Sequence, residues 1–166
     1  MAYALQSMLR IRTMREDRAS AELSAARQEV RNAEKALEER KEDLRQYEET
    51  KEERRDKIYE AVLGHAISLD DLERVREGVA RIDEEGVLKT DNVTMAAANL
   101  KEKENLAEKA REGFVRASKE RMKITEHKAM WEAEMAKEQE HRQEIELEDF
   151  TGKKNKDKTE DDDGNQ

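Results

Sequence analysis

Two heptad series of apolar and small residues run through this chain, and they complement each other when it folds back near Gly64–Ser68. The first places Leu23, Val30, Leu37, Leu44 and Ile58 at seven-residue multiples, with Ala19, Ala26, Ala33, Tyr47 and Ala61 between them, an a/d seam. The second reads Leu72, Val75, Val79, Ile82, Val93, Ala96, Leu100, Ala107, Ala110, Phe114, Ala117, Ile124, Trp131 and Met135. Setting Ala61 against Leu72 puts Ala19 opposite Phe114, Leu23 opposite Ala110, Ala33 opposite Leu100, Leu37 opposite Ala96 and Tyr47 opposite Gly86. Large residues then meet small ones along the seam, as close packing of two helices requires. The pattern predicts an all-α fold: two long helices in an antiparallel coiled-coil hairpin.

The composition fits a seam better than a globular core. Of the residues, 45% are charged and 35% hydrophobic, and proline is absent. Such a chain buries a thin stripe, and its stability is spread along the pair of helices. Without cysteine there is no disulfide framework, thiol chemistry or cysteine metal site. No apolar run approaches the roughly 20 residues of a membrane span, and the first residues lack a signal-peptide core, which gives a cytoplasmic expectation without membrane insertion. A net charge of −9 opposes nonspecific nucleic-acid binding.

Along the chain, residues 1–150 are predicted to form the hairpin. Helix one covers about 5–63 and ends at Gly64, suited to a left-handed C-cap. The turn is 64–68. Helix two, about 69–149, is entered through Ser68 and Asp71, a capping-box pair. It outruns helix one, so the stretch from about Ala133 to Phe150 is expected to project as a single helix. Residues 151–166 are expected to be a disordered charged tail.

Two features strain the seam. Gly86 is followed by Lys89, Thr90, Asp91, Asn92 and Thr94, poor helix formers or seam-polar residues, so helix two is either carried through by packing on Tyr47 and Leu44 or kinked there. Charges also enter the seam: Arg40 opposite Val93, Lys51 opposite Ile82, Arg54 opposite Val79 and Lys103 opposite Val30, each long enough to reach solvent. Arg12 opposite Arg121 sets like charges in one layer, which must splay or recruit acids.

Nothing points to an enzyme. His65, His127 and His141 have no second histidine at helical ligand spacing, the many acidic pairs lack a pocket, and there is no glycine-rich phosphate loop or nucleophile elbow. No cofactor or metal is expected. The unusual residues gather instead where the two termini meet. Leu9, Ile124, Trp131 and Met135 continue the seam, whereas Met8, Ile11, Met122 and Met130 lie off it and make the end apolar on more than one side. Arg10, Arg12, Arg15 and Arg18 make this end of helix one basic, while Glu132 to Asp149 is strongly acidic.

The run Tyr3, Leu5, Leu9, Ile11, Arg12, Arg15, Arg18, Ala19 resembles the start of the type III secretion stalk proteins of the YscO (SctO) family. So do Asp71-Leu72-Glu73-Arg74 after the turn and the stretch from Lys123 to Trp131 with Ile124, His127 and Lys128. The likeness extends to about Phe150 and includes the related flagellar protein FliJ and, in shape, the coiled-coil part of the rotary ATPase gamma subunit. It implies a central stalk at the cytoplasmic face of the inner-membrane export apparatus, with the hexameric export ATPase, the export gate protein and secretion chaperones as partners. The implied ATPase contacts are Leu5, Met8, Leu9, Arg12, Arg15, Met130 and Trp131. The implied gate contacts are Tyr47, Tyr59, Ile67 and Leu69, although Tyr47 is equally explained by packing on Gly86. A flagellar FliJ-type export chaperone and a structural coiled-coil scaffold are the alternative readings.

Overall fold

Both heptad series form continuous helices because their sequence is dense in Glu, Lys, Arg, Ala and Leu and contains no proline. In the computed structural model, which describes the backbone of residues 3–64 and 66–160 and the side chains of 3–64 and 66–148, α1 spans Gln6–Glu60 and α2 spans Leu69–Glu160. There is no strand among the described residues. The helices run antiparallel within each of two units, Arg18–Phe114 and the pairing of Met1–Asp17 with Val115–Gln166.

In the first unit the core is a single file of contacts. Leu23, Ala33, Tyr47 and Ile82 are buried, and Val30, Leu37, Leu44, Val79, Val93, Ala96, Leu100, Ala107 and Ala110 are half-buried between them. The expected registry holds at its most demanding layer. Tyr47 is only 4% exposed, its ring lies where a Cβ on Gly86 would come within 2.9 Å of Cε1 and Oη, and its hydroxyl donates to the Ile82 carbonyl. A residue larger than glycine at position 86 would displace the aromatic ring. α2 is helical without interruption through Gly86–Thr94, with the Thr90 and Thr94 hydroxyls donating to the carbonyls four residues back, Gly86 and Thr90. Packing on Tyr47 carries the helix through its weakest stretch.

The seam cations reach acids at its margin. Arg54 donates to Glu85 at 2.7 Å and lies 5.8 Å from the Tyr47 ring centroid; Lys51 pairs with Asp83 at 3.6 Å; Lys103 pairs with Glu29 at 3.4 Å. The hydrogen bond from Arg54 lowers the Glu85 pKa below the ordinary carboxylate value. These half-exposed pairs add modestly to stability, but each joins α1 to α2 and favours one register.

At the turn the structure departs from the predicted pairing. α1 ends at Glu60 rather than near Leu63, and residues 61–64 form tightened turns in which the Val62 and Leu63 amides donate to the Tyr59 carbonyl at 3.1 and 3.2 Å. Ala61 and Leu72, expected to form the first layer, are both exposed. With the α1 helix already ended, no helical surface faces Leu72, and closure shifts to Ile58, Val62, Val75 and Val79, all half-buried. Gly64 adopts φ 87°, the left-handed conformation of a helix-terminating glycine. Ser68 and Asp71 form the reciprocal capping box: the Ser68 amide donates to Asp71 Oδ2 at 3.1 Å and the Asp71 amide donates to Ser68 Oγ at 3.1 Å. The far end of α2 also differs, since helix continues to Glu160 instead of stopping near 149. Gly152 is a single weak position with no proline near it, and the lysines that follow are good helix formers suited to a C-terminus. Of the expected tail, residues 161–166 lie outside the described residues.

Two glycines within α2 give opposite expectations. Gly113 has open space where a Cβ would go, so Gly113→Ala should raise stability by about 0.5–1 kcal/mol through helix propensity. Gly86→Ala should lower it by about 1–2 kcal/mol, because displacement of Tyr47 outweighs the same gain. Thermal unfolding followed by circular dichroism distinguishes them. The Asp71 carboxyl is held below its ordinary pKa first by the Ser68 side chain and then by the Ser68 amide. Its contribution is therefore present above the unfolded carboxylate pKa and is lost as pH falls through the lower folded value. In an NMR titration of the Asp71 carboxyl, Ser68→Ala should move the midpoint upward.

Candidate protein-binding surfaces

The unit that contains both chain termini is built around the layer in which two arginines meet. Arg12 pairs with Glu120 and Arg121 with Glu16, so each guanidinium takes an acid from the opposite helix. Each of the like charges is thus offset by a recruited acid. Arg12 and Glu16 are both partly covered, and Arg12 is held in a cross-helix ion pair. Arg15 is exposed.

Beyond this layer, Tyr3 closes the unit. It is buried, its hydroxyl lies 2.8 Å from His127 Nδ1, and its ring packs on His127 and Trp131 at centroid distances of 5.8 and 5.3 Å. The Tyr3 carbonyl accepts the Gln6 amide at 3.1 Å, which joins this anchor directly to the first turn of α1. Tyr3 is the residue that sequence reasoning quoted without assigning a role. Its signal is an aromatic six residues before Leu9 that the registry sets close to Trp131. Leu5, Leu9, Ile124, Trp131 and Met135 are half-buried and continue the seam.

The residues off the seam are exposed apolar side chains. Met8 is 42% exposed and Met130 60%, and Ile11, Met14 and Met122 are likewise open to solvent. From Ala136 to Glu148 every side chain is exposed. Between Trp131 and Arg142 α2 carries a shallow groove of about 320 Å³ lined in part by Met135, Glu132 and Glu138. The candidate ATPase contacts therefore separate into two kinds. Met8, Arg15 and Met130 are available to a partner, whereas Leu5, Leu9, Arg12 and Trp131 are engaged within the unit.

A second apolar surface surrounds the turn of the other unit. Tyr59, Ile67 and Leu69 are exposed, Leu69 to 85%, and Leu63 and Leu72 join them. Where the seam opens, a cavity of about 430 Å³ lies among Ile58, Ala61, Val62 and Val75, with Lys57, Asp71 and Arg74 at its rim. Sequence reasoning missed Leu72 by placing it in the seam. Tyr47, also named there as a candidate, is committed to Gly86 and the Ile82 carbonyl and presents no surface.

Among the described residues, no group of three or more His, Asp or Glu side chains is placed to share a metal ion. No described helix is long and apolar enough to cross a membrane. His65 lies outside the described residues.

Comparison with known proteins agrees with this architecture. No curated protein matches the sequence. The crystal structure of the type III secretion protein YscO from Vibrio parahaemolyticus superposes with a TM-score of 0.76 at 20% identity, covering 88% of this chain and 92% of that one, and so shares its fold. A family described as Type III secretion protein YscO matches residues 5–153. By that match, which takes in both heptad series and the turn, the chain belongs to the YscO family of type III secretion proteins.

Proposed function

We propose that this protein is a stalk component of a bacterial type III export apparatus, acting in the cytoplasm at the inner-membrane export machinery. The family match over residues 5–153 carries the reading. The unit with both termini is the surface for the hexameric export ATPase: Met8, Ile11, Met14, Met122 and Met130 supply adaptable apolar contact, Arg15 supplies charge, and Arg12, Leu5, Leu9 and Trp131 hold the surface in shape. The turn, through Tyr59, Ile67 and Leu69 together with Leu63 and Leu72, is the surface for the export gate. Secretion chaperones are further partners of the same chain.

The physical logic is one of differential contact. A two-helix hairpin has no sixfold symmetry, so the subunits of a ring that surrounds it meet different faces. Binding energy that differs among subunits shifts the ring's conformational equilibrium and its assembly.

ATP hydrolysis by the cognate export ATPase, measured with and without the protein alongside hexamer formation, tests this reading. Stimulation is expected, and removal of residues 1–15 should abolish it. Met130→Glu should weaken ring binding by about tenfold while leaving helicity unchanged, since the side chain lies off the seam. Unaltered stimulation by both variants would refute the placement of the ATPase surface. Arg12→Glu should also reduce stimulation. Arg12→Glu combined with Glu120→Arg, which restores the cross-helix pair with reversed polarity, should recover it if Arg12 acts by holding the surface in shape; no recovery would make Arg12 a direct contact.

A further inference from the structure

Three stretches of nine residues lack Asp, Glu, Lys and Arg: 1–9, 61–69 and 92–100. The first lies at the chain start and the second spans the turn, the two places where apolar surface has already been described. The third, Asn92 to Leu100, lies within α2 of the unit Arg18–Phe114, where a two-helix seam explains only part of it. Val93, Ala96 and Leu100 are half-buried against α1, while Asn92, Thr94, Met95, Ala97, Ala98 and Asn99 are exposed. Met95 is 70% exposed and Leu88, one heptad earlier, 63%. A two-helix coiled coil ordinarily covers its outward positions with charge, so a neutral outward face is unusual in a chain that is 45% charged.

This face has a heptad order of its own. Arg81, Leu88, Met95, Glu102 and Lys109 recur every seven residues, with Glu84, Asp91, Ala98, Asn105 and Glu112 between them. All ten are exposed. The stripe is self-complementary when read against its own reverse. Centring it between Ala96 and Ala97 sets Met95 against Ala98 and Leu88 against Asn105 with Leu106 beside it. The flanking layers become Glu84 against Lys109 and Arg81 against Glu112. Glu84, Lys109 and Glu112 make no ion pair among the described residues, so these charges are available to another molecule. One layer, Asp91 against Glu102, sets acid against acid, with Lys101 adjoining it. Each ion pair occurs twice by symmetry, as does the contact between a large and a small residue at the centre.

We infer that the outward face of α2 from Arg81 to Glu112 is a homotypic contact, on which a second copy of this chain packs antiparallel with Met95 of one copy against Ala98 of the other. A foreign helix would need to supply this charge order independently, whereas a second copy carries it. The contact is narrow, with few apolar layers and an adverse acidic layer that likewise occurs twice, so it forms a reversible dimer of micromolar strength. Its residues all belong to the unit Arg18–Phe114.

Sedimentation equilibrium of the full chain over a concentration series tests the inference. A monomer–dimer equilibrium is expected, with a dissociation constant of about 10–100 μM. Lys109→Glu, which sets two acids in the flanking layer, should weaken dimerisation by about tenfold or more, and adding Glu84→Lys to the same chain should restore it. Met95→Lys should abolish the dimer. Circular dichroism should show all variants equally helical, because each changed side chain is exposed. A chain that stays monomeric to about 1 mM overturns the inference. So does a dimer unaffected by Met95→Lys, or one that Lys109→Glu weakens and Glu84→Lys fails to rescue.

Discussion

The contact between Tyr47 and Gly86 governs the alignment of the two helices in its unit. Several layers of the seam, among them Leu23 with Ala110, Ala33 with Leu100 and Leu37 with Ala96, join a large residue to alanine and set no strict limit on which small residue they meet. The Tyr47 layer does set one. A phenol ring needs a facing residue without a side chain, and the only glycine at the matching position is Gly86, which also places the hydroxyl on the Ile82 carbonyl. Arg54, Lys51 and Lys103 reach their acids in the same register. The costly glycine and the seam cations, which look like defects in isolation, therefore contribute to specificity.

This explains which parts of the fold were legible in the sequence. Heptad spacing as far as Ile58, the left-handed Gly64 and the Ser68–Asp71 pair are local or periodic signals that the structure carries. The first layer after the turn was misread because periodicity continues through residues that the backbone no longer holds in a helix. Ala61 fits the heptad but follows the end of α1, which leaves Leu72 with nothing to face. The end of α2 differs for a related reason: the polar, charged composition after residue 150 predicts a tail, although Gly152, one glycine without a neighbouring proline, costs a helix little.

The candidate surfaces were legible as regions more than as individual residues. The off-seam methionines Met8, Met122 and Met130 are each exposed, as their heptad positions predict. Assigning roles around them required knowing which side chains are already occupied, and that depends on pairs far apart in sequence, such as Arg12 with Glu120 and Tyr3 with Trp131. Tyr47 shows the same limit. Its residue type suggests an interface anchor, and its position makes it a packing element.

The turn has a kinetic consequence. In an antiparallel pair, each layer farther from the turn closes a longer loop. Tyr47 meets the Ile82 carbonyl across a separation of 35 residues, and Tyr3 meets His127 across 124. Direct closure of the longer loop costs only about 1 kcal/mol more in chain entropy, but it offers no neighbouring layer to build on. Zipping outward from Gly64 and the Ser68 cap, layer by layer, is the faster route. The aromatic closure at Tyr3 is then the last to form and the first to fray, which makes the end of the hairpin opposite the turn the least cooperative part of the molecule.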